Sequence, residues 1–368
     1  MIVIAGGVQA EVRIDMTMPG KPEPAAAQGG GEISPWEKEA YGEGGRFGSM
    51  TSIPSGDPMK DRITVSFTGC AYHAAKYLAE KGHEVAFVSV VGEDPLGLAA
   101  LADLEKSGVD ISGVVTISEL GEDPDEKATP AGDDSPETAA KKDPGEVREV
   151  AAQTIPGNLK GSLTSVRVVA RNFLGDVEFW RVDERILKEI TPRRLASAEE
   201  KFAGADMVFA DGNLPGEAIG WIGEFCREKG LPLYFDPSSP EGSARGADML
   251  EYFRGIMPGR REAEAMSGLG ILSTDQLMEA GRHFTEQGVG RVIITMKGGG
   301  LYYKEGLEEG VLRPQRVLRF AETGGAGDVV TAELLHGFAR GIPMEEAAQA
   351  AMDAAAEYLA DVVDERRY

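Results

Sequence analysis

The sequence predicts an α/β fold, a mainly parallel sheet covered by helices on both faces. Three observations carry this reading. Short apolar runs that read as strands alternate with amphipathic helical stretches along most of the chain. The run Glu84–Val91 (EVAFVSVV) is almost wholly apolar, as expected of a parallel strand buried on both faces. Turns at Pro237, Pro258, Lys297 and Gly324 each follow a strand, and open parallel sheets bind ligands beyond the C-terminal ends of their strands.

The elements follow in order. Ile2–Ala5 is a short apolar strand, and the N-terminus reads as that strand, not as a signal peptide. Ala71–Lys81 is a helix whose apolar face is Ala74, Ala75, Leu78 and Ala79. Glu84–Val91 is the buried strand, and Leu98–Ser107 a helix closed by Gly108. Ser165–Ala170 and Val177–Val182 read as a strand pair turning near Leu174-Gly175-Asp176. Strand Met207–Ala210, helix Gly216–Glu228, strand Pro232–Asp236, strand Gly255–Met257, helix Thr274–Gln287 and strand Arg291–Met296 continue the alternation. Two helices close the chain, one reaching about Gly341 and one running on from Met344. Two stretches break the pattern. Residues 19–61 are rich in Gly, Pro, Glu and Ser, and residues 119–149 are acidic and lack aromatics. Both read as flexible insertions.

Composition narrows the function classes. With 368 residues the chain is long enough for one large α/β domain or two smaller ones. Its net charge of -23 argues against binding nucleic-acid backbones or anionic membranes. No apolar run approaches the roughly 18 residues that span a bilayer. The two cysteines, Cys70 and Cys226, lie far apart without metal-ligand spacing, which fits a reducing, cytoplasmic setting.

The most informative motif is Glu322-Thr323-Gly324-Gly325-Ala326-Gly327-Asp328, which opens directly into the apolar helix Val329-Val330-Thr331-Ala332-Glu333-Leu334-Leu335-His336-Gly337-Phe338. A helix N-terminus leaves backbone N–H groups unpaired, and small residues let an anion approach them. A carboxylate at that junction can accept the proton of a hydroxyl nucleophile. An anion hole beside a base is what phosphoryl transfer to an alcohol requires. The alternative from the motif alone is an N-cap Asp after a loop.

The order of several landmarks resembles the ribokinase-like (PfkB) carbohydrate kinase family over nearly the whole chain outside the two insertions. Ser66-Phe67-Thr68-Gly69-Cys70-Ala71-Tyr72-His73 stands where the family has Gly-Gly-x-x-x-Asn and its first long helix. Val91-Gly92-Glu93-Asp94-Pro95-Leu96-Gly97 and Gly108-Val109-Asp110 match its V-G-x-D-x-x-G and G-V-D elements, and Gly324–Asp328 its C-terminal signature. Within the family the chain is most similar to the pseudouridine kinase branch. The stretches that carry this are Asp211-Gly212-Asn213-Leu214-Pro215, Asp236-Pro237-Ser238-Ser239, Asp183 in its V-D-E-R-I-L context, and Asp328 through His336-Gly337.

The resemblance implies a three-layer α/β/α sandwich forming a single kinase domain, with a small β lid contributed by about 8–18 and 163–183. It implies transfer of the γ-phosphoryl group of ATP to a primary hydroxyl of a sugar or nucleoside, pseudouridine first, with Mg2+ and possible use of a monovalent cation. Exposed lid strands often pair across a dimer, which makes a homodimer through the lid a possible assembly. Asp328 would be the general base, and the amides of Gly325, Ala326 and Gly327 the anion hole. Glu11, Gly69, His73 and Asp183 would contact the substrate. Asp236, Glu262, Lys297 and Gly300 would serve the nucleotide and Mg2+, Glu262 acting on the metal through water. Each has a plainer alternative: surface polar residues for Glu11 and His73, a solvated helix-face charge within RREAE for Glu262, a loop lysine for Lys297, and a turn Asp before Pro for Asp236.

Departures from the family pattern cluster in the expected pocket. The usual Asn and Asp near the first strand are Gln9 and Glu11, and the Gly-Gly pair is Thr68-Gly69. The following Asn is His73, the N-x-x-E Asn is Gly259, the first glycine of T-x-G-x-x-G is Lys297, and the Asp opening the signature is Glu322. They leave open another sugar or nucleoside substrate, or a binding protein of weakened catalysis.

Overall fold

The computed structural model describes residues 1–15, 62–120, 163–171, 177–296, 300–314 and 325–365. The expected insertion at 19–61 lies outside the described residues, as do nearly all of the acidic stretch 119–149 and the turn at 174–176. The chain divides into two compact units. One comprises Met1–Ala10, Phe67–Val166 and Asp183–Tyr368; the other comprises Glu11–Ser66 and Arg167–Val182.

Nine strands form the large sheet: β1 (Ile2–Ala5), β4 (Val85–Gly92), β5 (Asp110–Ile117), β8 (Met207–Asp211), β9 (Leu233–Asp236), β10 (Gly255–Ile256), β11 (Arg291–Met296), β12 (Gly300–Glu305) and β13 (Glu308–Leu312). Their order is β13-β12-β11-β10-β9-β8-β1-β4-β5. All neighbours from β11 to β5 are parallel, and β12 and β13 extend the edge antiparallel. β2 (Gln9–Asp15), β3 (Arg62–Thr68), β6 (Val166–Arg171) and β7 (Val177–Asp183) form a separate four-stranded sheet, order β3-β2-β6-β7.

Side-chain alternation along the central strands sorts residues into two cores. Val3, Ala5, Ala86, Val88, Val90, Val208 and Ala210 belong to one. Ile2, Ile4, Val85, Phe87, Val91, Met207 and Phe209 belong to the other. Helices α5 (Gly216–Lys229), α7 (Arg260–Ser267) and α8 (Thr274–Glu286) seal the first through Ile219, Ile222, Ala263, Met266, Leu277 and Phe284. Helices α1 (Cys70–Glu80), α2 (Pro95–Lys106), α9 (Ala326–Ala339) and α10 (Met344–Glu365) seal the second through Ala74, Leu78, Leu104, Leu334, Leu335 and Ala347. Each fully buried phenylalanine here contributes about 1.5–3 kcal/mol. The outcome is the three-layer sandwich expected from the sequence. The short helices α3 (Pro192–Ala196), α4 (Glu199–Ala203) and α6 (Pro240–Gly246), together with α7, β5 and the β12–β13 hairpin, add to the elements read from the sequence.

The V-G-x-D-x-x-G landmark proves to be a clasp. Asp94 N-caps α2, accepting from the N–H groups of Leu96 and Gly97, both at 3.0 Å. It also accepts from Leu163 N at 2.9 Å, Thr164 N at 2.8 Å and Thr164 Oγ1 at 2.9 Å. The flanking glycines make room for it. A β-carbon at Gly92 would lie 2.2 Å from Asp94 Oδ2, and one at Gly97 would lie 2.2 Å from the Gly92 carbonyl oxygen. One buried carboxylate thus ties the start of α2 to the chain entering β6.

Candidate active site

Adjacent parallel strands β8 and β9 both end in aspartate, and the two are register partners, Asp211 opposite Asp236. Each carboxylate holds the start of a helix. Asp211, fully buried, accepts from Ala71 N at 3.2 Å at the head of α1. It also accepts from Asn213 N at 3.0 Å and Asn213 Nδ2 at 2.9 Å. Asp236 accepts from Thr331 Oγ1 at 2.6 Å, one turn beyond the start of α9. Asp236 keeps one edge toward solvent while its carboxyl lies within the packed interior.

Glycines permit this convergence. Gly69 N-caps α1 with φ 131, and a β-carbon there would come within 2.7 Å of the Gly7 carbonyl. A β-carbon at Gly6 would lie 2.4 Å from Ala71 Cβ. Gly69, expected as a substrate contact, therefore has a backbone reason to be glycine.

The two converging helices present the expected base. Asp328 occupies the first turn of α9, and its Oδ2 lies 2.6 Å from Nδ1 of His73 on α1. Gly325 is the N-cap of α9 with φ 85, and the next N–H groups, of Ala326 and Gly327, precede the intrahelical ladder. Tyr358 of α10 covers Gly325, its hydroxyl 2.5 Å from where a β-carbon would stand. Among the described residues, nothing lies within 4 Å of where a Gly327 β-carbon would stand, so an anion could approach the helix head from that side. Substituting Gly327→Ala favours the helix by up to about 1 kcal/mol while placing a methyl group in the approach path. The expected result is an unchanged or slightly raised Tm together with weakened ATP affinity. A variant binding ATP as the wild type does would show that the phosphate lies elsewhere.

Burial raises both strand-end carboxyls. Asp211 is pushed up to about 6 by burial, against the hydrogen bonds from Asn213, Ala71 and Gly7. Burial pushes Asp236 up to about 7, opposed by the Thr331 hydroxyl and reinforced by the charge of Asp328. The thiol of Cys70, first residue of α1, is raised by burial and then by Asp236, Asp328 and Asp211, so it stays protonated. Near neutrality Asp236 is partly neutral, which lowers the negative charge an incoming phosphoryl group meets.

The other expected residues distribute as follows. Glu262 lies in the first turn of α7, its Oε2 2.3 Å from where a Gly259 β-carbon would be. The glycine replacing the expected Asn thus makes space for the carboxylate as it lies here. Among the described residues no three His, Cys, Asp or Glu side chains gather as a metal cage. A lone carboxylate fits Mg2+ held through its water shell and nucleotide phosphates. Gly300 opens β12 with φ 97, and a β-carbon would meet the Leu312 carbonyl at 1.9 Å. Lys297 lies outside the described residues. Glu11, in the small unit, accepts from Arg13 at 3.0 Å and pairs with Arg167 at 3.7 Å. Asp183 takes a two-pronged contact from Arg185, Nε at 3.0 Å and Nη2 at 2.8 Å. His73, expected at the substrate, meets Asp328. Asp211, Cys70 and Thr331 were not singled out by the sequence as site residues. The signal available was two successive apolar strands, VFAD and LYFD, each ending in Asp.

The chain is similar in sequence and in fold to known proteins. The model of the pfkB family of carbohydrate kinases matches residues 179–361. A pseudouridine kinase of Escherichia coli is 24% identical over 299 residues, covering 81% of each chain. A guanosine-inosine kinase of Exiguobacterium acetylicum is 24% identical over 300 residues, 81% of this chain and 85% of the relative. Among solved structures, an Arabidopsis thaliana ribokinase complexed with ribose and ATP superposes with a TM-score of 0.65 at 15% identity, covering 96% of this chain and 91% of that one. A putative ribokinase II of E. coli in complex with ATP and Mg2+ gives 0.60 at 16% identity, over 95% and 89%. No helix among the described residues is long and apolar enough to cross a membrane.

Proposed function

We propose, from the premise that this chain carries a pfkB family carbohydrate kinase domain and so is a phosphotransferase with an alcohol acceptor, that it transfers the γ-phosphoryl group of ATP to a primary hydroxyl of a nucleoside, with pseudouridine as the leading acceptor. The observation that carries the reading is the placement of Asp328 in the first turn of α9, beside the N–H groups of Ala326 and Gly327, which precede the intrahelical ladder. In this reading Asp328 takes the hydroxyl proton as the oxygen attacks. The N–H groups at the head of α9 donate to the phosphoryl oxygens as charge builds there. Asp236, held toward neutrality, keeps a second full charge away from the site. Glu262 is the residue that would orient Mg2+ through water, and the ion when bound would offset charge on the phosphates. The nucleoside preference draws on two of the curated relatives, named a pseudouridine kinase and a guanosine-inosine kinase.

The test is ATP turnover with Mg2+ against pseudouridine, uridine, guanosine, inosine, ribose and fructose. The expected result is the highest kcat/KM with pseudouridine. A preference for ribose or for a purine nucleoside would overturn the acceptor assignment and leave the kinase standing. A second reading, a nucleoside- or sugar-binding protein of weakened catalysis, draws on Glu11 and Asp183, whose carboxylates are held by arginines. Binding without phosphorylation of any acceptor would favour it and sink the first.

A further inference from the structure

His73 and Asp328 come from helices far apart in sequence, yet their side chains meet at 2.6 Å through Nδ1 and Oδ2. Both ends of the contact are fixed. His73 lies in the first turn of α1, its N–H bonded to the Gly69 carbonyl at 2.9 Å. Its ring lies against Tyr72, centroids 5.7 Å apart, and the Tyr72 hydroxyl is tied to Asp103. Asp328 stands on a helix whose third residue onward, Thr331, is bound to Asp236. The backbones of both helices are tied to strand ends, α1 through Ala71 N to Asp211 and α9 through Thr331 to Asp236.

An ionised carboxylate only accepts hydrogen bonds, so the proton in this contact belongs to Nδ1. That matters because the terminal torsion of an aspartate is broad and roughly twofold. Left alone, the carboxylate of Asp328 would rotate between orientations, and only some present an oxygen to the acceptor hydroxyl. With Oδ2 committed to His73, Oδ1 is the oxygen left for an acceptor hydroxyl.

We propose that His73 is a positioning residue for the general base: its Nδ1–H holds Oδ2 of Asp328, so that Oδ1 is presented to the hydroxyl to be phosphorylated. The proposal rests on the reading of Asp328 as the base. It replaces the substrate contact that sequence position suggested for His73.

Three chains test it. In His73→Asn the side-chain amide reaches about as far as Nδ1 and keeps a donor for Asp328; in His73→Ala the donor is gone. The expected result for His73→Ala is a kcat lowered about 10- to 100-fold, the size of effect that misorientation of a catalytic group produces, with KM for the acceptor within about twofold. His73→Asn is expected to recover most of that loss. If His73→Ala instead raises KM and leaves kcat alone, His73 grips substrate and the proposal fails. It fails equally if His73→Asn is as impaired as His73→Ala. Nitrogen NMR of the imidazole gives a readout independent of turnover. The wild type should show a protonated Nδ1, and Asp328→Ala should release the ring to the Nε2–H form. An unprotonated Nδ1 in the wild type would overturn the proposal. Failure of the underlying reading looks different: an Asp328→Asn chain of full activity removes the base itself, whereas an inactive Asp328→Asn beside a His73→Ala chain of wild-type kinetics removes only the positioning role.

Discussion

An Asp328→Asn chain is expected to keep its fold and its hold on ATP while kcat falls about 100- to 10,000-fold, the range over which a positioned general base contributes. The substitution is nearly isosteric. The Asn carbonyl still accepts from His73 Nδ1, so the α1–α9 contact survives. What disappears is the capacity to take a proton. The helix loses a first-turn negative charge, which costs at most about 1 kcal/mol, and a phosphate at that helix head meets less repulsion, so ATP affinity should hold or improve. Single-turnover kinetics with calorimetric ATP titration separates these effects. Retention of more than about one-tenth of wild-type kcat would remove Asp328 from the role of base.

The second large effect concerns stability. Asp94→Ala is expected to destabilise the protein by about 3–4 kcal/mol, since it strands several buried donors whose desolvation costs about 1–3 kcal/mol each before relaxation. For a domain of this size that lowers Tm by about 5 °C. Asp94→Asn should be almost as harmful. One carboxylate oxygen accepts from Leu96 and Gly97 and the other from Leu163 and Thr164, so an amide N–H meets donors whichever way it turns. A conservative replacement that melts like the wild type would show that the clasp carries little energy. The same group gives a pH signature. Burial raises the Asp94 pKa, but the hydrogen bonds from Gly97, Thr164 and Leu163 more than offset it and hold the carboxyl below its ordinary 3.8. A carboxyl depressed in the folded state stabilises above the unfolded value, and this contribution fades as pH falls below about 4 and through the folded pKa. The wild type should therefore lose more stability between pH 5 and 2, as estimated roughly from that window, than Asp94→Ala does.

How much of this was legible in the sequence differs by element and by kind of contact. The central strands were legible because burial on both faces leaves continuous apolar runs such as VAFVSVVG. The helix after Asp328 was legible because its turn chemistry and its apolar period agree. β3 alternates Ile63, Val65 and Phe67 with polar residues, but it emerges directly from a long polar stretch that masks its start. α6, with its serines and glycines, has too few apolar positions for a helical period to show. In the site, Asp328 was visible from local sequence alone. The Asp211–Asp236 pairing was not, because it depends on which strands are neighbours. Nor was the His73–Asp328 contact, which joins residues 255 positions apart. The resemblance placed His73 at the substrate by position; in three dimensions its ring meets Asp328.

The Asp94 clasp has a consequence for how such a chain can vary in length. Because the carboxylate fastens the end of β4 directly to Leu163 and Thr164, the residues between Leu120 and Leu163 form a closed excursion whose two ends are already secured. Closing such an excursion costs free energy that grows only logarithmically, about 0.6 kcal/mol for each doubling of its length. Chain between β5 and β6 can therefore lengthen or shorten at little energetic cost, while the clasp keeps both of its attachment points in place.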